Sequence, residues 1–134
     1  MEKDFVDKIA FVHIQSRKAL LALNKGSDKW YLPGGHRERG ETDEETLIRE
    51  VKEELAVDII SETVNHFKTV EAQAHGSPEG TIARITCYTA SFDGEIKASS
   101  EVAKIDFFSY SQKGQTSAPT QRLLDDLKDR DLID

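Results

Sequence analysis

The chain has one cysteine, Cys87, so no intramolecular disulfide can form, and a reducing compartment is the simplest setting. Its three prolines and eight glycines are scattered, nothing repeats, and no stretch is low in complexity. No apolar run approaches membrane-spanning length, and Met1-Glu2-Lys3-Asp4-Phe5 is not a hydrophobic targeting segment, so a cytoplasmic protein without membrane contact is expected. Basic residues are in the minority, 18 against 25 acidic, for a net charge of −7. Without a basic stripe to replace phosphate counterions, a nucleic-acid polymer is not an expected partner. Small phosphorylated ligands stay open, because a bound metal ion reverses the local sign of charge. At 134 residues the whole chain, 1–134, reads as one domain.

What the sequence does have is acid in one place. Residues 37–54 hold seven Glu and one Asp against four Arg or Lys. Thr42 and Glu45 form a Ser/Thr-x-x-Glu capping box, which predicts a helix starting at Asp43. On that helix Leu47, Ile48, Val51 and Leu55 share an apolar stripe. Glu50, Glu53 and Glu54, at i, i+3 and i+4, converge on a neighbouring arc and repel by about 0.2–0.5 kcal/mol per pair. Arg49 can reach Glu53 or Glu41 but cannot neutralise the set. Mg²⁺, or Mn²⁺, can: hard cations take oxygen ligands, and Mg²⁺ in phosphate chemistry uses one or two carboxylates, waters and the substrate's own oxygens. Gly34-Gly35 lets the backbone approach, and a carbonyl there could complete the coordination.

These residues lie at a fixed spacing: Gly35, five residues, Glu41, seven residues, then Arg49-Glu50-Val51-Lys52-Glu53-Glu54. From Gly35 to Val57 the run resembles the box of the Nudix hydrolases, which cleave a nucleoside diphosphate linked to another moiety. One position departs: Ala56 stands where the pattern has the glycine that ends the helix, which bears on the C-cap and not on the metal site. The resemblance implies an α/β (α+β) fold, an α/β/α sandwich with a mixed sheet, and pyrophosphate hydrolysis to two phosphorylated products. It implies that Glu50, Glu53 and Glu54, with the Gly34 carbonyl, bind the metal, and that Glu41 and Arg49 brace loop against helix. It places Glu101 as a further ligand or base, with Asp106 as the other later candidate beside a box glutamate. Many members dimerise, so a homodimer is compatible with it.

Substrate contacts are expected from Gly35 and His36 on phosphate and from Trp30 stacked on a nucleobase. Related sequences often end the strand equivalent to Leu20–Leu23 with a phosphate-binding arginine; here Asn24-Lys25 stands there, so Lys25 is the nearest cation. Many ADP-ribose hydrolases carry a proline about fifteen positions after the box, where this chain has Glu71-Ala72-Gln73. By exclusion the substrate reading leans to a nucleoside triphosphate or modified nucleotide, with a nucleotide sugar or ADP-ribose as the alternative. A nucleotide-binding regulator without turnover is the reading from another class. No G-x-S-x-G, H-E-x-x-H or Walker A motif is present, and His13, His66, His75 and Cys87 lack zinc-ligand spacing.

Along the rest of the chain, strands are predicted over Phe5–Ile14, Ala19–Leu23, Val64–Ala72, Thr81–Phe92 and Val102–Tyr110. A turn is expected at Arg17-Lys18, loops over Asn24–Lys29 and Ser111–Ala118, and a final helix from Pro119 with Leu123, Leu124 and Leu127 inside.

Overall fold

A computed structural model describes residues 5–134. Its centre is strand β1 (Phe5–Phe11), whose alternate residues face opposite layers. Ile9 and Phe11 pack with Leu47, Val51 and Leu55 of helix α1 (Asp43–Leu55). Ala10 belongs to the other core, with Leu123, Leu124 and Leu127 of helix α2 (Ala118–Asp129). Each of those six leucine and valine side chains is buried, worth about 1.5–3 kcal/mol apiece.

The predicted strand over Phe5–Ile14 is broken at Val12-His13. Beyond the break, β2 (Ile14–Gln15) leaves the sheet of β1 and pairs with β3 (Lys18–Asn24). Ser16 and Arg17 form the connecting turn, both at positive φ, as a two-residue hairpin with right-handed twist requires. Strand β4 (Gly34–Gly35) runs antiparallel to β1. After α1 come β5 (Asp58–Ile59), β6 (Asn65–Gln73), β7 (Ile82–Thr89), β8 (Phe92–Asp93) and β9 (Val102–Phe108). They complete a mixed sheet in the order β4-β1-β7-β6, with β1 and β7 parallel, an antiparallel sheet β2-β3-β9, and the short pair β5-β8. The predicted strand Thr81–Phe92 therefore divides, its last residues turning to pair with Asp58–Ile59 beside the end of α1. The expected loop at 111–118 is mostly a 3₁₀ turn, Tyr110–Gln115, with its own capping box from Ser109 and Gln112.

Two caps set α1. Thr42 Oγ1 accepts from the Glu45 N–H and Glu45 Oε1 accepts from the Thr42 N–H, both at 3.1 Å, as its sequence predicts. At the other end Ala56 takes the left-handed conformation (φ 59°, ψ 32°) that glycine would take without strain. The Cβ penalty there is about 1–2 kcal/mol, and the geometry survives because Lys52, Leu55 and Glu54 carbonyls are all engaged, by Ala56, Lys97 and Ser99 amides.

Candidate active site

Every element of the box meets at the junction of β4 and α1. Arg49 sits at the hub: its Nε and Nη2 donate to the two oxygens of Glu41 at 2.7 and 2.9 Å, a bidentate pair. Nη2 also donates to the His36 carbonyl at 3.0 Å, and Nη1 to Glu50 Oε1 at 2.7 Å, with Glu53 Oε1 at 3.5 Å. The guanidinium thus ties the loop after β4 to the first turns of α1. Glu41 accepts further bonds from the Glu38 amide and the Thr46 hydroxyl. The paired Arg49 guanidinium, then those bonds, hold its carboxyl at about 2 against an ordinary 4.5.

That depression has a sign. A carboxyl whose folded value lies below its unfolded one contributes stability above about pH 4.5, and the contribution is lost as pH falls toward 2. Glu41→Gln should therefore be less stable than wild type at pH 6–7, and the gap should close as unfolding is measured at successively lower pH. A gap independent of pH would mean that Glu41 acts through shape and not charge.

Glu54 is the opposite case. It is the box carboxylate that lines the adjoining cavity, and burial pushes its pKa up to about 7. The Gly34 N–H, donating to Glu54 Oε1 at 2.7 Å, pulls the other way, while the charges of Glu50 and Glu53 add to the rise and Lys8 opposes it. Gly35 has a different use: a Cβ there would stand 2.5 Å from the Glu50 carboxyl carbon, so the missing side chain is the space that carboxylate fills.

Do these residues fit a divalent cation? The donors are hard oxygens. In the described hydrogen bonds each of Glu50, Glu53 and Glu54 uses Oε1, and none uses Oε2. Among the described residues no three His, Cys, Asp or Glu groups converge as a ready-made cage, and Arg49 lies against Glu50 and Glu53. Such a set fits a small cation that takes few protein ligands and keeps its waters, as Mg²⁺ does, better than one needing a dense shell.

Beside the box opens a cavity of about 430 Å³, lined by Gly34, Gly35, His36 and Glu54 on one side. Val6, Lys8 and Ala10 of β1 with Ala83 and Ile85 of β7 line it from the sheet, and Ser117, Pro119 and Thr120 from the start of α2. Of the residues expected to meet substrate, Gly35 and His36 line it and Trp30 and Lys25 do not. Trp30 packs on Phe108, ring centres 4.9 Å apart, and its extended neighbour Tyr31 faces the cavity instead. Lys25 is exposed, its amide bonded to the Glu101 carbonyl. Glu101 is exposed too, as is Asp106, whose Oδ1 accepts from the Phe107 amide; neither lines the cavity.

Lys8, Tyr31 and His75 are cavity residues that motif reading passed over. A signal for Lys8 existed: it shares a strand face with Val6 and Ala10, where a charge is out of pattern.

The NUDIX domain family model matches residues 7–127. The chain belongs to the Nudix family. The ADP-ribose pyrophosphatase of Methanocaldococcus jannaschii is 28% identical over 95 residues, 71% of this chain and 54% of the relative, so the chain spans about half that relative's length. Two solved structures share the fold. The MutT protein of Methanosarcina mazei Go1 aligns with a TM-score of 0.76 at 18% identity, over 98% of both chains. The MutT NUDIX hydrolase of Burkholderia pseudomallei aligns with a TM-score of 0.75 at 20% identity, over 92% of this chain and 98% of that one. The mixed sheet between α1 and α2 is the Nudix architecture.

Proposed function

We propose that this Nudix chain is a Mg²⁺-dependent pyrophosphohydrolase cleaving the diphosphate of a nucleoside diphosphate derivative, with Mn²⁺ as the alternative ion. The observation that carries this reading is Glu54: a half-buried carboxylate among like charges, lining the cavity that a substrate would enter.

Glu50, Glu53 and Glu54, with the Gly34 carbonyl, would hold a divalent cation, which would supply positive charge opposite the diphosphate and lower the pKa of a water there. The chain's own residues do the rest. The Arg49–Glu41 clamp fixes the loop so that Gly34, Gly35 and His36 keep their places around the cavity. In this reading a box carboxylate takes the proton as water attacks one phosphorus, and the bridging oxygen leaves with the other phosphate. The outlying positions of Glu101 and Asp106 favour a box base over either of them.

For the substrate, the reading by exclusion leans to a nucleoside triphosphate or modified nucleotide, released as monophosphate and pyrophosphate. ADP-ribose is the second reading, favoured by the relative from Methanocaldococcus jannaschii. A binding-only regulator is disfavoured because Glu50, Glu53 and Glu54 are all present.

The test is turnover of a panel with Mg²⁺: nucleoside triphosphates, oxidised nucleotides, nucleotide sugars, ADP-ribose and dinucleoside polyphosphates, with the products separated. One preferred substrate yielding a nucleoside monophosphate is the expected result. Binding of nucleotide with no hydrolysis of any member would replace the enzyme by the regulator.

A further inference from the structure

We infer that Lys8 is a substrate-binding residue whose ammonium contacts an anionic oxygen of the diphosphate; this rests on the diphosphate reading above. Lys8 stands on the face of β1 that looks into the cavity, between Val6 and Ala10. Its ammonium has no hydrogen bond and no ion pair among the described residues; the contact it makes is with the ring of Tyr31, 5.5 Å from Nζ to the centroid. An ammonium drawn from water without an anionic partner is costly, and a cation–π contact offsets part of that cost.

Other cations near the box are engaged or lie outside the cavity: Arg39 is exposed and does not line it, and Lys52 pairs with Asp58. Arg49 is engaged by Glu41, Glu50 and the His36 carbonyl. Arg37 is paired with Asp7 and Asp43, and Lys25 is exposed outside the cavity. Among the described residues lining the cavity, Lys8 is therefore the one lysine or arginine, with His36 and His75 as the remaining basic groups.

Its place on β1 favours phosphate over nucleobase: the next residues, Ile9 and Ala10, are the register partners of Gly35 and Gly34, and Lys8 lines the cavity together with those glycines and Glu54. The charges that act on Lys8 are those of Glu54 and Glu50, the carboxylates beside which a cation and diphosphate would sit. Burial lowers its pKa while those two carboxylates oppose the fall, as expected for an ammonium close to the box. A flexible four-carbon stem with three donors allows the head to exchange the Tyr31 face for a phosphate oxygen.

The experiment is calorimetric binding with Mg²⁺ and two non-hydrolysable probes, imidodiphosphate and α,β-methylene-ADP, to wild type, Lys8→Met, Lys8→Gln and Lys8→Arg. Both neutral variants should weaken both probes by the same factor, about 10- to 100-fold, the worth of one charge-assisted hydrogen bond. Lys8→Arg should retain most of the affinity. Mn²⁺ binding without probe should not weaken in the neutral variants, since the lost charge repelled the ion, and their melting temperatures should not fall. Loss for α,β-methylene-ADP alone would move Lys8 to the nucleoside and overturn the assignment, as would no loss for either probe. A wild type that binds neither probe would sink the diphosphate reading itself.

Discussion

Glu53→Gln is expected to cut metal-dependent turnover about 10³-fold while changing unfolding stability by no more than about 0.5 kcal/mol. The two halves of that expectation have different origins. Glu53 is half exposed, and its described partner is Arg49 at 3.5 Å, an i,i+4 pair of the kind that contributes about 0.3–0.5 kcal/mol. Removing its charge forfeits that pair but relieves repulsion from Glu50 and Glu54 of similar size. The fold should barely register the change.

Catalysis should register it fully. On the proposed reading the box would hold its ion through few protein ligands, since no ready-made cage exists among the described residues, and could not spare a charged oxygen. A thousandfold loss corresponds to about 4 kcal/mol of transition-state stabilisation, within the range for charge held opposite a phosphoryl group. Turnover of the preferred substrate, Mn²⁺ affinity and a denaturant melt, taken on both proteins, check it. Wild-type turnover in the variant would remove Glu53 from the site; a large drop in stability would mean that the acidic arc is structural.

The same box explains what could be read before any coordinates. Thr42 and Glu45, Leu47 and Val51, and the convergence of Glu50, Glu53 and Glu54 all depend on residues within a helical turn or two, so their geometry follows from spacing alone. The pairing of β1 with β7 does not: Ile9 lies opposite Thr86, far along the chain, and nothing local to either residue specifies it. Trp30 and Tyr31 show the same limit at finer grain. Either aromatic could have faced the cavity, and the bridges Ala22–Tyr31 and Trp30–Thr116 decided it by turning Trp30 onto Phe108. Ala56 shows that a pattern residue can be exchanged where the lost conformational freedom costs about 1–2 kcal/mol and the surrounding amides already cap the helix.

The two adjacent glycines should separate folding from function. Gly34→Ala is expected to destabilise by more than about 3 kcal/mol. Gly34 has φ +146°, and a Cβ there would stand 2.0 Å from the Ile9 carbonyl oxygen and 2.8 Å from the Ala10 Cα. Both are backbone of the central strand, paired with β4 at Ala10–Gly34, so relief requires parting two strands. At Gly35 the φ is ordinary, and the clash, 2.5–2.7 Å, is with the carboxyl end of Glu50. That end can swing away from Arg49, so Gly35→Ala should keep a near-wild-type melting temperature. The swing takes an oxygen from the site, and metal affinity and turnover should fall about 10- to 100-fold. A cycle settles whether Glu50 carries the effect. In a Glu50→Ala background the clash partner is gone, so adding Gly35→Ala should cost nothing further in Mn²⁺ affinity. A second full loss there would show that Gly35 serves the site through its own backbone and not by making room for Glu50.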